Sequence, residues 1–353
     1  MTEKHNSERE VSTTHETYQR LGHTPVMLDE AIRNLAPKAG GLYVDATFGA
    51  GGYTRAILES AACNVVALDR DPNAVRDGAS IVYKFVTRLK LFQSRFSNLD
   101  NFLPKFEKST VDGVVFDIGT SSMQLDQPQR GFSFQYDGPL DMRMSIDSEE
   151  HPSAADLLRD LSEKELANII YHYGEERRSK AIASAIINMR EATPLTRTGQ
   201  LANICKRVYS HRYHGNLHPA TRTFQALRIA VNDELRELFQ GLCAAERILK
   251  PNGRLVVVTF HSLEDRIVKR FLNQRSRHNQ GRSRHLPELI EVKRPSFRNV
   301  TNRPLTPSHQ EVASNPRARS AKLRAATRTD EKAWEGQNEI TPASKSSVVN
   351  HYG

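Results

Sequence analysis

Cysteine is scarce in this chain: Cys63, Cys205 and Cys243 are odd in number and far apart. They form neither a disulfide framework nor a metal-ligand cluster, so no metal is expected and a reducing, cytoplasmic setting suits them. Long apolar runs are missing too. No stretch approaches the roughly 20 apolar residues that a membrane-spanning helix needs. The opening Met1-Thr2-Glu3-Lys4-His5-Asn6 lacks the apolar segment of a secretory signal. No membrane partner is therefore expected. Hydrophobic residues make up 38% of the chain and the mean hydropathy is −0.57, as in a soluble protein with polar extensions. No internal repeat is visible. At 353 residues there is room for one large domain or two smaller ones.

Acidic residues are almost absent from one region. From Arg266 to Arg328 there are 16 Lys/Arg against 3 Asp/Glu, while the whole chain carries +9, so the remainder is mildly acidic. Phosphate-rich partners account for such an asymmetry, because each cation set on a phosphate releases a counterion. A solvated basic tail is the plainer alternative.

The most informative stretch is Tyr43-Val44-Asp45-Ala46-Thr47-Phe48-Gly49-Ala50-Gly51-Gly52-Tyr53. A short β-prone run ends in an acid, three glycines follow within four positions, and from Thr54 the pattern reads helical. Strand, glycine turn and helix start bring bare backbone against a nucleoside-like ligand. The spacing Gly49, Gly51, Gly52 departs from the dinucleotide fingerprint G-x-G-x-x-G. Asp69 closes a second apolar run, 20 residues after Gly49, where a carboxylate can accept both hydroxyls of a ribose. Two acidic strand ends suit a ribose-bearing cation, S-adenosylmethionine, better than a pyrophosphate. A glycine turn serving packing alone is the competing reading.

Further strands are expected at Leu89–Gln93, at Val111–Ile118 and at Arg254–Thr259 after a turn at Pro251-Asn252-Gly253. Alternation of strands with helical stretches implies a parallel sheet with its ligands at the carboxyl ends. The alternation breaks after Gln124-Leu125-Asp126. Ser162-x-x-Glu165 is a capping box with Gly174 as the stop, and helices follow at about 175–191 and 201–209. The expected division is a discontinuous α/β domain (23–125 and 217–326), an inserted helical domain (126–216) and disordered tails (1–22 and 327–353). The helix with Phe224, Leu227, Ile229 and Leu235 is expected to rejoin the sheet. After a helix with Ile267, Val268, Phe271 and Leu272, an Arg-rich mobile loop from Gln274 to His285 (Arg275, Arg277, Arg282, Arg284) is expected. Leu286–Val292 is a candidate strand, and Asn315–Arg324 is a basic segment.

Taken in order, these segments resemble the bacterial ribosomal small-subunit methyltransferase H family (RsmH, formerly MraW). The likeness runs from about residue 22 to 326. It includes His23-Thr24-Pro25-Val26-Met27-Leu28, Asp45 to Tyr53, Leu68-Asp69-Arg70-Asp71-Pro72, Asp117-Ile118-Gly119-Thr120-Ser121-Ser122 and Gln124-Leu125-Asp126. It continues through Arg130-Gly131-Phe132-Ser133-Phe134, Leu140-Asp141-Met142-Arg143-Met144, Tyr173-Gly174-Glu175-Glu176 and His218 to Gln225. Phe260 to Arg266 and Asn315 to Ser320 complete it. Two departures stand out. Tyr53 follows the glycines where the family usually has His, and Met123 stands where it usually has Pro. The first leaves a main-chain contact to the cofactor but no imidazole contact; the second leaves the pose of Gln124 less constrained.

The resemblance implies a Rossmann-like, S-adenosylmethionine-dependent methyltransferase fold with an inserted all-helical domain. It implies methyl transfer to the N4 amine of a cytidine in 16S rRNA, in an assembled small subunit. Carried over by motif, the cofactor contacts are Gly51, Gly52, Tyr53, Asp69, Phe96, Asp117 and Gln124. Each has a plainer alternative: core packing for Phe96, loop polarity for Asp117 and Gln124, a solvated strand end for Asp69. Asp45 is read as attracting the ligand's ammonium or as a turn cap. Asp117 is the one candidate for accepting a proton, with cofactor binding the preferred role, and no general base is assigned. Arg222 is a phosphate candidate, and His261 is either a wall of the nucleotide pocket or a satisfied buried histidine. The alternatives to this reading are an NAD(P)-dependent oxidoreductase and a non-catalytic ribosome-assembly factor that binds RNA.

Overall fold

A computed structural model of the chain describes residues 25–106, 109–120, 122–145, 151–209, 217–276 and 294–334. The expected N-terminal tail, Arg277, Arg282, Arg284, the candidate strand Leu286–Val292 and the chain beyond residue 334 lie outside them. The described residues divide into two compact units, one of residues 25–119 with 237–334, the other of residues 120–236. Among the described residues no helix is long and apolar enough to cross a membrane.

The first unit is built on seven strands: β1 (Leu42–Asp45), β2 (Asn64–Asp69), β3 (Leu89–Gln93), β4 (Val111–Ile118), β5 (Leu249–Thr259), β6 (Phe297–Asn299) and β7 (Lys322–Arg328). Their order is β3-β2-β1-β4-β5-β7-β6. β1 to β5 pair in parallel, and β7 runs against both β5 and β6. Successive residues of β2, β4 and β5 are buried on both sides, which is why these strands read as unbroken apolar runs. Val65, Ala67, Val115, Val256 and Val258 share one cluster with Leu35, Phe48, Tyr53 and Ile57. This is the Rossmann-like methyltransferase architecture, with a helical region inserted after β4.

Two strands escaped the sequence reading, the edge strand β6 and its neighbour β7, and for β7 the reason is charge. β7 falls within the expected basic segment and disordered tail, yet Arg324 and Arg328 are buried in it. Arg324 Nε donates to Asp265 Oδ1 at 2.7 Å, and Lys322 Nζ reaches Asp265 Oδ2 at 3.1 Å. Arg328 donates to the carbonyls of Glu246 and Ser296. Arg275, expected in the mobile loop, instead lies in the helix Ser262–Ser276 with 1% of its side chain exposed. Its Nε donates to Glu246 Oε2 at 2.6 Å, and its guanidinium stacks 3.9 Å from the Phe271 centroid. Ser296 and the Trp334 N–H both donate to the other oxygen of Glu246. β5 also starts earlier than expected. Val111 pairs Leu249 and Gly113 pairs Arg254, so Lys250–Gly253 form a bulge with Asn252 at φ 66°.

The second unit is helical. Its helices include Ala154–Asp160, Glu163–Gly174, Ser179–Ala192, Thr198–Tyr209 and Thr221–Asn232. Reciprocal capping boxes start the first two, Ser153 with Asp156 and Ser162 with Glu165. The one helix expected to rejoin the sheet is two: Phe224 and Leu227 of Thr221–Asn232 share a core here with Leu166, Ile169 and Ile170 of Glu163–Gly174, while Leu235 falls in the next helix, Glu234–Ile248, which from Glu237 belongs to the sheet unit. Gly174 lies against the backbone of Arg222, where a Cβ would stand 2.5 Å from the carbonyl oxygen. The loop before the helices is held by buried polar groups. Asn232 Nδ2 donates to Met142 O and its Oδ1 accepts from Met144 N, at 2.7 and 2.9 Å. Arg130 donates to the carbonyls of Arg143 and Met144.

Removing one partner of a fully buried ion pair strands the other, at about 3–5 kcal/mol. Arg275→Met is therefore expected to lower the unfolding free energy by about that much. The exposed Arg270→Met should stay within about 0.5 kcal/mol. Urea unfolding followed by circular dichroism measures both.

Candidate active site

Parallel pairing sets the geometry of the site. Asp45, the last residue of β1, lies opposite Ala67 on β2 and Val115 on β4. Side chains alternate along a strand, so Asp69 and Asp117, each two residues further on, point to the same side of the sheet as Asp45. Three carboxylates thus gather at the carboxyl ends of neighbouring strands. Among the described residues, no Lys or Arg forms an ion pair with any of them.

Their surroundings differ. Asp45 is wholly buried; it accepts from Thr47 N and from Thr54 Oγ1, at 3.1 and 2.7 Å. Those bonds make it the cap of the glycine turn. Asp69 Oδ2 accepts from Gly49 N at 2.7 Å and its Oδ1 from Asp71 N at 2.8 Å, so the carboxylate is fixed across the mouth of the turn. The backbone N–H of Asp117 donates to Thr47 Oγ1 at 2.7 Å, while the buried Asp117 Oδ1 has no hydrogen-bond partner. Burial pushes the Asp45 and Asp69 carboxyls up to about 6. Burial, with repulsion from Asp45 and Glu264, pushes Asp117 up to about 8.

The glycines divide their work. Gly49, at φ 54°, faces open space: a Cβ there would meet nothing within 4 Å. Gly51, at φ 77°, is packed from behind, where a Cβ would stand 2.4 Å from Ile81 Cδ1 and 2.8 Å from the Phe48 ring. At Gly52 a Cβ would stand 2.1 Å from Pro25 Cγ. The missing side chains of Gly51 and Gly52 thus make room for protein, and these residues can meet a ligand only through their main chain. The helix Gly52–Ser60 starts from Gly51 with no side-chain cap, an arrangement suited to a carboxylate. Tyr53 is buried and its hydroxyl donates to Val26 O, so it too offers main chain alone.

Phe96 follows β3. It is half-buried, packs edge-on to Phe116 at 5.5 Å and lies over Gly241, where a Cβ would stand 2.5 Å from Phe96 Cδ2. Gln124 is buried in the helix Ser122–Asp126, which belongs to the helical unit. Arg222 is exposed, its Nη1 donating to Glu175 O at 3.2 Å. His261 precedes the helix Ser262–Ser276 as its cap: its Nδ1 accepts from Glu264 N at 3.4 Å and its own N–H donates to Glu264 Oε2 at 3.2 Å. His261 Nε2 lies 2.8 Å from Glu264 Oε1, but neither atom has a hydrogen bond of acceptable direction.

Thr47, Phe48 and Glu264 were missed in the sequence. Glu264 had a legible signal, the capping-box spacing from His261, disguised by a histidine in the Ser/Thr position. Thr47 and Phe48 had none, since their roles depend on β4 and on the helix carrying Ile81.

Three carboxylates at one end of the sheet, none of them ion-paired to a Lys or Arg among the described residues, and an open glycine fit a ligand that carries positive charge and hydroxyl donors. Comparison with known proteins points the same way. The model of the MraW methylase family matches residues 20–329. Ribosomal RNA small subunit methyltransferase H of Rhodopseudomonas palustris (strain ATCC BAA-98 / CGA009) is 58% identical over 311 residues, 88% of this chain and 92% of that protein. The protein of the same description from Azorhizobium caulinodans is 59% identical over 308 residues, 87% of each chain. That from Xanthobacter autotrophicus is 58% identical over 314 residues, 89% of each. With its family model matched over most of its length, this chain belongs to the MraW methylase family.

Proposed function

We propose that this chain is an S-adenosylmethionine-dependent methyltransferase of small-subunit ribosomal RNA, acting on the N4 amine of a cytidine in 16S rRNA. Its substrate on this reading is the assembled small subunit, in the cytoplasm. The observation that carries the reading is the set of three carboxylates, none ion-paired to a Lys or Arg among the described residues, beside the open Gly49, in a chain of this family. The same field counts against a nicotinamide dinucleotide, whose pyrophosphate would meet three acids.

When bound, the cofactor supplies a methyl group on a positively charged sulfur. Asp69, its oxygens oriented by the Gly49 and Asp71 N–H groups, accepts the ribose hydroxyls. Phe96 stacks on the adenine. Main chain at Gly51, Gly52 and Tyr53, where the helix starts without a side-chain cap, lies against the amino-acid part. An exocyclic amine is a poor nucleophile because its lone pair is delocalised into the ring. The protein's contribution is therefore to hold the amine in line, a positioning effect worth several kcal/mol. Positive charge develops on the amine nitrogen, and the ionised Asp117 favours it from a fixed position. Binding the cationic cofactor is its first role; accepting a hydrogen bond from the amine is its second. Extruding the base is easiest from a looped RNA region.

Three outcomes are expected. Asp69→Ala removes charge-assisted hydrogen bonds worth about 1.5–3 kcal/mol each, so calorimetry should show cofactor affinity falling at least about tenfold to a hundredfold. Affinity for the small subunit should change less than about twofold, and an equal loss of both would indicate misfolding.

The second concerns pH. The Asp117 pKa is raised by folding, so the stability linked to its protonation is complete below about 3.8 and lost as pH rises through about 8. A cationic ligand selects the ionised form, so its affinity should rise from pH 6 to pH 8 with proton release on binding. Asp117→Asn should flatten the upper part of that rise, and a pH-independent affinity in the parent chain would refute the assignment.

The third is direct. Mass spectrometry of small-subunit rRNA from cells with and without this protein should show one N4-methylated cytidine lost in its absence.

A further inference from the structure

The amino-terminal end of the same sheet carries a second concave site of opposite charge. It lies where β1 and β4 begin and where β5 bulges. Four of its lining side chains are cationic, Lys38, Lys250, Arg254 and Arg298, and one, Asp112, is anionic. That carboxylate is already engaged: Oδ1 is in contact with Lys250 Nζ, and Oδ2 accepts from Leu42 N at 3.0 Å. Among the described residues, no carboxylate lies within ion-pair distance of Lys38, Arg254 or Arg298. Arg298 Nη2 donates to Asn252 Oδ1 at 3.3 Å, which points its guanidinium along the bulge. The bulge is what builds the wall, for without it Lys250 and Asn252 would continue the ladder beside β4.

We infer that this pocket binds phosphate groups of the RNA backbone, as a contact separate from the methyl-transfer site. The inference rests on the rRNA reading proposed above. Three cations without a carboxylate partner among the described residues, set around a hollow, suit phosphate oxygens, with the arginines offering planar forks. The ligand is a polymer on grounds of distance. Asp112 and Asp117 are five residues apart on β4, about 17 Å at the rise of a strand. A chain engaged at both ends of the sheet must therefore extend well beyond one nucleotide. Phosphate contacts of this kind fix position without reading sequence.

The test compares the parent chain with Lys38→Gln/Arg254→Gln/Arg298→Gln. A Lys38→Gln/Arg298→Gln variant, which changes only exposed side chains, guards against a folding defect. Filter binding of purified small subunits is measured from 50 to 200 mM salt, and cofactor binding by calorimetry. The triple variant is expected to bind subunits about ten- to a hundredfold more weakly near 0.1 M salt, with the slope of log affinity against log salt reduced by about 2 to 3. Cofactor affinity should be unchanged. Arg254→Lys/Arg298→Lys should recover most of the salt slope. Unchanged subunit affinity and slope in both Gln variants would overturn the site while leaving the rRNA reading intact. A parent chain that binds cofactor but no subunit would overturn both. Displacement of inorganic phosphate or a mononucleotide from the parent chain, with subunit affinity unaffected by the variants, would show a small-anion site and also overturn it.

Discussion

Like charges brought together by register are the constraint on which the sheet unit depends. Parallel pairing of β1 with β2 and β4 leaves no choice about where Asp45, Asp69 and Asp117 point once each ends or nearly ends its strand. None forms an ion pair with a Lys or Arg among the described residues, and burial pushes all three toward their neutral forms. Backbone and hydroxyl donors hold the arrangement: Thr47 and Thr54 for Asp45, and Gly49 and Asp71 for Asp69. Asp117 Oδ1 is left over. A site that keeps one buried acceptor unmatched retains electrostatic energy that only a donor or a cation from outside can release.

The turn after β1 shows how packing serves that purpose. Phe48 N donates to Leu68 O, and its ring fills the space behind Gly51 and Gly78. The ring wedges the turn from the protein side, which leaves Gly49 as the residue facing outward. Replacing glycine would therefore cost different things at different positions: protein-side collision at Gly51 and Gly52, loss of open space at Gly49. A run of three glycines in a sequence does not reveal which is which. Only the neighbours, Pro25, Phe48 and Ile81, distinguish them.

The central strands were legible because both their faces are buried, and burial writes itself as Val-Val-Ala-Leu or Gly-Val-Val-Phe. β7 was not legible, because its charges are cancelled by residues remote in sequence. Arg324 finds Asp265, and Arg328 finds the carbonyl of Glu246. A composition count sees four cations in ten residues from Arg319 to Arg328 and expects solvent. Arg275 failed for the same reason, since Glu246 lies 29 residues earlier. In Thr221–Asn232 the spacing of Phe224, Leu227 and Val231 announces a helix without saying which core receives it, and Leu166 and Ile170 decide that. At the site, the residue types Asp69 and Asp117 were readable from their strand-end positions. The engagement of the Tyr53 hydroxyl by Val26 was not, because nothing local fixes the path of residues 25–27.

The sheet unit is electrically polar along its strands, with carboxylates at one end and, among the described residues, three cations without a carboxylate partner at the other. Five residues of β4 span roughly 17 Å, so each end presents its own sign to what approaches it. On the reading proposed above, RNA phosphates engage the amino-terminal end while the target base alone reaches the donor at the carboxyl end. That separation gives a physical reason for a bulge in β5 at Lys250–Gly253: a regular ladder would have left the amino-terminal end flat, with its cations spread along an edge rather than gathered around a hollow.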